Sequence, residues 1–161
     1  MNLGSILRTA SFFGLSNIIV PSYNFAPLSP LISKLSAGSM EQINFYKTSD
    51  IIELMKSFRR HSNHHVVATS GVRACNSVQS TANRKLIIAI GSEDLGLSRE
   101  FLSIADSVYR IPGFMDNISP ATHLDELYWD AQHTSSLNVA VATGIAFYNI
   151  LNLNKTLSEV A

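Results

Sequence analysis

Two hydrophobic patterns alternate along the chain. Short, nearly continuous apolar runs rich in β-branched residues predict buried strands at residues 17–20, 43–46, 65–69, 86–90 and 107–111. Apolar residues at three- and four-residue spacing predict helices over residues 4–13, from 29, from about 49 to 60, over 98–105, and from about 136 to 151. This alternation predicts an α/β fold, a parallel sheet with helices on both faces.

Capping residues indicate where the helices begin and end. Serine and threonine oxygens accept hydrogen bonds from the free N–H groups of a first helical turn, and glycine often ends a helix. The expected N-caps are Ser29, Thr48 or Ser49, Ser98 and Ser136, and Gly14 is expected to end the first helix. Small residues between Ala140 and Gly144 would let another backbone approach the last helix closely.

The composition is that of a globular and rather apolar protein. Its 161 residues, of which 46% are hydrophobic and 15% charged, predict one domain over residues 1–161. Because the charged share is below the usual quarter or so, we expect a partner to cover some apolar surface. The net charge of zero does not indicate a nucleic-acid binder unless the basic residues cluster on one face.

The sequence gives no sign of a disulfide, a membrane span or a metal site. Cys75 is the single cysteine, and no apolar run reaches the length of a transmembrane helix, so no membrane partner is expected. His61, His64 and His65 form a cluster, but no cysteine or carboxylate stands at ligand spacing beside them. We therefore predict no bound metal.

Three stretches that follow predicted strands are candidate ligand loops. They are residues 69–71, 91–96 and 111–137, and ligands of parallel α/β sheets bind beyond the carboxyl ends of the strands. Gly71, Gly91 and Gly96 supply backbone freedom there. These loops suit an adenosine held by backbone groups, and the alternative is that the glycines simply make turns.

Two charged side chains stand in unusual surroundings. Glu93 lies between two glycines just after an apolar strand, and Arg8 lies on an otherwise apolar helix six residues after Asn2. From its surroundings alone, Glu93 is expected to be a surface carboxylate or a charge near the N-terminus of the helix that Ser98 begins. Arg8 either meets a ligand or extends into water or an ion pair.

Residues 2–14, 88–98 and 135–144, in this order, resemble motifs 1, 2 and 3 of the SpoU (TrmH) family of RNA ribose 2′-O-methyltransferases, within the SPOUT superfamily. Residues 27–41 also resemble the branch that methylates a guanosine ribose in mitochondrial large-subunit rRNA. The resemblance implies a SPOUT-type parallel sheet with a C-terminal trefoil knot, a homodimer, an RNA substrate (rRNA), and a mitochondrial location, with the cytoplasm as the alternative.

The resemblance also implies S-adenosylmethionine as cofactor and assigns site residues. The cofactor contacts would be Thr69, Gly71, Ile90, Gly91, Gly96, Ile111, Ser136 and Leu137. The catalytic residues would be Asn2, Arg8, Glu93, Ser136 and Asn138. Because a guanidinium stays protonated at ordinary pH, we expect Arg8 to bind a phosphate and stabilise the developing alkoxide rather than to act as a base.

Two departures from the family pattern leave alternatives open. In the family a buried strand precedes motif 1, and here nothing precedes this motif but Met1, so an N-terminally truncated domain is expected. An insertion at about residues 113–134 enters the expected cofactor loop. The alternative function is a catalytically impaired SPOUT-like protein that binds RNA or cofactor. A Rossmann-like nucleotide-binding domain is disfavoured, since no G-x-G-x-x-G follows the first strand.

Overall fold

A computed structural model describes residues 2–23, 25, 27–71, 84–113 and 137–158, with side chains described up to Asn152. Helices and strands alternate in these ranges. The helices are α1 Asn2–Phe12, α2 Pro30–Leu35, α3 Ile51–His61, α4 Arg99–Ile104 and α5 Val139–Ser158, with a 3-10 helix at Ser39–Gln42. The strands are β1 Asn17–Pro21, β2 Asn44–Thr48, β3 His64–Thr69, β4 Lys85–Ala89 and β5 Ser107–Tyr109.

All strand pairs in the described ranges are parallel, as predicted, but they form two sheets rather than the one expected. β1 pairs with β2, and Asn17 lies opposite Asn44. β3 lies between β4 and β5, with His64 opposite Lys85 and Val67 opposite Ser107. The sequence did not reveal this division, because hydrophobic periodicity identifies strands without specifying which of them pair.

The central strand β3 is covered by helices on both faces. Successive side chains of a strand point to opposite faces. Val66 and Ala68 therefore pack on one face against Met55 of α3 and Phe101 of α4, while Val67 packs on the other face against α5. These β3 side chains are completely buried. The prediction of helices on both faces is confirmed for this sheet.

Helices α1 and α5 pack side by side in parallel. The Asn138 amide before α5 lies 3.0 Å from Asn2 at the start of α1, and the rings of Phe13 and Phe147 meet edge to face 6.2 Å apart near the other end. Asn138, which caps α5, is therefore held beside the first residue of α1. Within the described ranges, no helix is long and apolar enough to span a bilayer.

Of the helix glycines Gly4 and Gly144, it is Gly4 of α1, not Gly144 of α5, that another element approaches closely. A Cβ on Gly4 would lie 2.5 Å from the Leu35 Cβ, whereas one on Gly144 would lie 3.8 Å from the Thr9 methyl, which is an ordinary contact. The expectation of tight packing at Gly144 is therefore wrong in degree. The small residues of α5 do not reveal that the Thr9 side chain of α1 leaves room for a methyl group at position 144.

Three of the expected helix boundaries are confirmed. Ser29 Oγ accepts a hydrogen bond from Ile32 N at 3.4 Å, and Ser98 Oγ accepts one from Phe101 N at 3.1 Å. Gly14 adopts a left-handed conformation at φ 77° just after α1. These residues act through local geometry alone, which explains why the sequence predicts them well.

Two expected N-caps are wrong. Asp50 Oδ1, not Thr48 or Ser49, accepts the hydrogen bond from Glu53 N at 2.9 Å, because Thr48 Oγ1 is bonded to the Asp50 backbone instead. Asn138 Oδ1 accepts the bonds from the first turn of α5, so this helix begins at Val139 rather than at about residue 136. Ser136 itself lies outside the described residues.

Candidate active site

The carboxyl ends of β3, β4 and β5 meet at one edge of the three-stranded sheet. Thr69 Oγ1 donates a hydrogen bond to Ala89 O at 2.9 Å, and Ser70 N donates to Tyr109 O at 3.0 Å. Since the strands are parallel, the segments that follow them lie on the same side of the sheet. The structure thus brings together the described parts of the three predicted ligand loops.

The segment after β4 folds into a tight turn from Ser92 to Gly96. These two residues exchange backbone hydrogen bonds of 2.9 and 3.3 Å, and Ser92 Oγ accepts a bond from Leu95 N at 3.2 Å. Gly96 has φ 66°, which favours glycine. The turn exposes Glu93. Sequence analysis missed Ser92, although serine at the start of a turn is a recognisable signal.

Packing inside this turn fixes the identity of Gly91. A Cβ there would lie 2.4 Å from the carbonyl carbon of Gly96 and 2.5 Å from Leu97 N. Real Cβ atoms do not approach a backbone so closely, and backbone cannot swing aside as a flexible side chain can. Gly91 is therefore required by the shape of the turn itself, whether or not a ligand also approaches it.

Three predicted catalytic residues, one from each motif, form a single hydrogen-bonded cluster. Asn2 Nδ2 donates to Glu93 Oε2 at 2.5 Å. Asn138 Nδ2 donates to Asn2 Oδ1 at 3.0 Å and to Glu93 Oε1 at 3.3 Å. We call these residues the Asn2–Glu93–Asn138 cluster. It joins the starts of α1 and α5 to the turn after β4.

The orientation of both amides in this cluster follows from their partners. Asn138 Oδ1 accepts from Ala140 N at 3.0 Å and Val141 N at 3.4 Å, so its NH2 group faces the cluster. A carboxylate only accepts hydrogen bonds, so Asn2 must turn its own NH2 group toward Glu93. The start of α5 therefore orients Asn138, and Asn138 in turn orients Asn2 and Glu93.

Arg8 does not join this cluster within one chain. It is exposed on α1, as are Ser5 and Phe12 on the same face. Arg8 lies six residues beyond Asn2, a rise of about 9 Å along the helix, and its side chain points about 120° away from that of Asn2 around the helix axis. No hydrogen bond or ion pair links its guanidinium to the described part of the chain.

The predicted cofactor-binding residues line the same sheet edge in different degrees of exposure. Thr69, Ile90, Gly91 and Ile111 are half-buried, and Gly71 and Gly96 are exposed. Arg110 Nε donates to Gly71 O at 3.2 Å, a contact the sequence did not predict. Leu137 is 50% exposed, and the neighbouring turn exposes 90% of Leu95. Ser136, and residues 114–134 of the expected insertion, lie outside the described ranges.

His64 and His65 make structural contacts. His65 is buried, and its Nε2 lies 2.9 Å from Ser107 Oγ. Desolvation lowers the pKa of His65 below its ordinary 6.5, and Arg84 and Arg59 act in the same direction against the opposing charge of Asp106. His64 Nδ1 contacts Ser62. The described residues include no group of three or more histidine, cysteine or acidic side chains arranged to hold a metal ion.

Comparison with known sequences gives matches over nearly the whole chain. The family model of the SpoU rRNA methylase family matches residues 1–119. The 23S rRNA (guanosine-2′-O-)-methyltransferase RlmB of Shewanella oneidensis is 28% identical over 155 residues, covering 96% of this chain and 56% of that protein. Human mitochondrial rRNA methyltransferase 1 is 28% identical over 165 residues, covering 96% and 43%. The chain thus spans about half the length of these relatives.

Solved structures of RNA-modifying enzymes also resemble this chain. The AdoMet-bound rRNA methyltransferase of Sinorhizobium meliloti superposes with a TM-score of 0.66 at 28% identity, covering 91% of this chain and 49% of that one. The TrmH/SpoU tRNA modifying enzyme of A. aeolicus gives a TM-score of 0.66 at 22% identity, covering 91% and 66%. At that lower identity the second match shows the fold alone.

Proposed function

Because the chain belongs to the SpoU rRNA methylase family, we propose that it methylates a ribose 2′-hydroxyl of RNA with S-adenosylmethionine, at a guanosine of large-subunit rRNA. The observation that carries the proposal is the Asn2–Glu93–Asn138 cluster. In this cluster Glu93 is bonded to Asn2, 91 positions earlier in the sequence, and to Asn138, 45 positions later. The cluster lies where the carboxyl ends of the parallel strands meet, which is where such sheets bind ligands. We assign the activity to one domain over residues 1–161, whose expected insertion at about residues 113–134 differs from the family pattern.

The cofactor fits the residues present. The exposed apolar side chains of Leu95 and Leu137 can cover an adenine ring. In the part of the chain that the structure describes, no atom lies within 4 Å of where a Cβ on Gly71 would be, so a ligand can approach its backbone. Thr69, Ile90, Gly91 and Ile111 would present backbone groups beside it, with Gly96 and Ser136. When bound, S-adenosylmethionine supplies a methyl group activated by a positively charged sulfur.

The cluster would position the ribose hydroxyl. Glu93 accepts one N–H bond on each carboxylate oxygen, and each oxygen keeps further lone-pair capacity. One of them can therefore accept the 2′-O–H and hold the oxygen in line with the methyl group, a positioning that contributes strongly to catalysis. Ser136, preceding Asn138 by two residues, would bind the same hydroxyl or the cofactor.

Arg8 would bind the phosphate beside that ribose and stabilise negative charge on its oxygen. Its distance from Asn2 in the same chain favours a site completed by a second copy. The exposed residues Phe12, Val141 and Tyr148, on the paired helices α1 and α5, form an apolar surface suited to that contact; they are 82%, 53% and 59% exposed. We therefore include a homodimer through α1 and α5 in the proposal.

Light scattering coupled to gel filtration tests the homodimer. Twice the chain mass of 17.6 kDa is expected at micromolar concentration. A monodisperse species of 17.6 kDa would contradict it.

A C-terminal trefoil knot and a mitochondrial location also belong to the proposal, with the cytoplasm as the alternative location.

Methyl transfer is the direct test of the proposed function. The chain is incubated with isotopically labelled S-adenosylmethionine and a large-subunit rRNA transcript, and incorporation into RNA is counted. The expected insertion at about residues 113–134, which enters the predicted cofactor loop, favours the second candidate: a protein that binds cofactor or RNA without turnover. Cofactor binding by calorimetry without incorporation would support that second candidate, and incorporation would exclude it.

A further inference from the structure

An open cleft of about 700 Å³ lies at the amino ends of the strands of the three-stranded sheet. The Asn2–Glu93–Asn138 cluster lies at their carboxyl ends. The walls of the cleft come from α3, from the start of β3 and from the residues just before β4 and β5. The charged lining residues are Glu53, Lys56, Arg59, Arg60, Arg84 and Asp106. We call this the α3 cleft. None of its residues takes part in the proposed methyl transfer.

The α3 cleft concentrates positive charge in a chain whose net charge is zero. Four of the chain's twelve lysines and arginines line it, against two carboxylates. Arg59 pairs with Asp106 at 2.8 Å, and Arg60 pairs with Glu53 at 2.5 Å. In the described ranges no ion pair reaches Lys56 or Arg84. The cleft therefore retains a net positive charge from these two side chains.

The paired arginines are also held in place from both sides. Arg59 Nη1 donates to Ile104 O at 2.8 Å in addition to its ion pair, and Arg60 Nε donates to Lys56 O at 3.3 Å. A guanidinium has five N–H donors, so both retain donors for an incoming anion. Fixed cations in a cleft attract anions more effectively than the same charges dispersed over a surface.

We propose that the α3 cleft binds the phosphate backbone of the RNA substrate at a distance from the methylated ribose; this rests on the proposed function. An extended polyanion fits the observations, because the cations are spread along an open cleft rather than gathered around an enclosed pocket. The six residues of β3 separate the two sites by about 17 Å. The RNA would thus run over the helix-covered surface of the domain, parallel to the strands, and the cleft would position it without reading its sequence.

A pair of double variants tests this. Lys56→Gln with Arg84→Gln removes the two unpaired cations of the cleft. Lys34→Gln with Lys47→Gln removes the same charge from exposed positions on α2 and β2. Binding of a fluorescent large-subunit rRNA transcript is measured by anisotropy at several salt concentrations. Arg84→Gln alone, at an exposed position, serves as a second variant should the double variant fold poorly.

The cleft variant should bind RNA at least tenfold more weakly than the control variant at low salt. Its slope of log affinity against log salt should fall by about 1.4 to 1.8, the loss of two phosphate contacts. The KM for RNA should rise, while kcat at saturating RNA and cofactor affinity stay as in the control. Equal RNA binding by the two double variants would overturn the proposal.

The outcome for the α3 cleft is separable from that for the proposed function. Weaker RNA binding by the cleft variant, from a wild-type chain that binds RNA without methylating it, would support the cleft proposal and contradict the proposed function. If the wild-type chain methylates RNA but the cleft variant binds RNA as tightly as the control variant, the proposed function is supported and the cleft proposal is contradicted. A wild-type chain that binds no RNA would contradict both.

Discussion

Asn2 and Glu93 stand 91 residues apart in the sequence, and their side chains share a 2.5 Å hydrogen bond. Asn2 begins α1, and Glu93 lies in the turn closed by Ser92 and Gly96. Asn138 reaches both of them from the start of α5. The pair thus connects an exposed turn to two packed helices, and so fixes the position of a carboxylate that the turn alone would leave mobile.

Glu93→Gln should lower kcat about a hundredfold. A glutamine presents one NH2 group where the carboxylate presents a second acceptor, so either Asn2 or Asn138 then faces a donor instead of an acceptor. Rates of methyl incorporation measure the loss. Asp94→Asn, at the adjacent exposed position, is the matched control and should keep the wild-type rate. Equal rates for the two variants would remove Glu93 from the site.

Arg8→Ala should abolish methyl transfer while leaving cofactor affinity within about twofold. The guanidinium is exposed on α1 and Arg8 is not among the residues assigned to the cofactor, so we expect folding and cofactor binding to continue without it. Arg8→Lys should restore little activity, because an ammonium cannot bridge two oxygens as a planar fork does. Single-turnover rates and calorimetry separate the two effects. Near-normal turnover in Arg8→Ala would show that Arg8 has no role in the reaction.

Gly91→Ala should weaken cofactor binding at least tenfold, about 1.4 kcal/mol. The new methyl group would lie 2.4 Å from the Gly96 backbone, so the whole turn must move. Gly144→Ala is the matched control, since a Cβ there would meet only an ordinary 3.8 Å contact with the Thr9 methyl and Gly144 is not among the predicted cofactor contacts. Calorimetry compares the two. Unchanged affinity in a folded Gly91→Ala protein would mean that the turn does not form the cofactor site.

Gly4→Ala and Gly144→Ala should change stability in opposite directions. The first places a methyl group 2.5 Å from the Leu35 Cβ, and such overpacking costs about 1 to 3 kcal/mol. The second meets only an ordinary 3.8 Å contact and gains about 0.5 to 1 kcal/mol of helix propensity. Urea denaturation provides both values. A stabilised Gly4→Ala protein would contradict the packing described between α1 and α2.

Stability should fall as pH drops below 6.5, partly through His65. Burial lowers the pKa of His65 in the folded state, so below pH 6.5 the unfolded chain binds more protons than the folded one. The free energy of folding that neutral His65 contributes is fully present above pH 6.5. It is lost as the pH falls through the pKa of His65 in the folded protein. His65→Gln should reduce the difference in unfolding free energy between pH 7.5 and 5.5.

His61→Gln is the control for this titration, because His61 is exposed on the last turn of α3. It should keep the wild-type pH dependence. Identical pH profiles for His65→Gln and the wild-type chain would show that protonation of His65 does not control the acid response.

Sequence patterns predicted the helices and strands of this fold better than they predicted which strands pair. Ser29, Ser98 and Gly14 act within a few residues of chain, so their roles could be read directly. Asp50 and Asn138 cap helices where other residues were expected, because neighbouring polar groups compete for the same N–H donors. The division of the strands into two sheets depends on contacts between distant residues, which hydrophobic periodicity does not encode.

The candidate site was predicted mainly through the family resemblance. That resemblance selected Asn2, Glu93 and Asn138, and the structure joins their side chains, but spacing alone gave no reason to expect them to meet. It also placed Arg8 beside them, which a single chain does not do. The α3 cleft was missed because Lys56 and Arg84 belong to separate segments whose proximity arises only from strand pairing.

The most direct test of the proposed function is nucleoside mass spectrometry of an rRNA transcript after incubation with the chain and S-adenosylmethionine. We expect one methyl group per transcript, carried on the ribose of a guanosine, and none when Glu93→Gln replaces the wild-type chain under the same conditions. A methyl group on a base, or no methylated nucleoside from a folded chain that binds the cofactor, would contradict the assignment of ribose 2′-O-methylation to this protein.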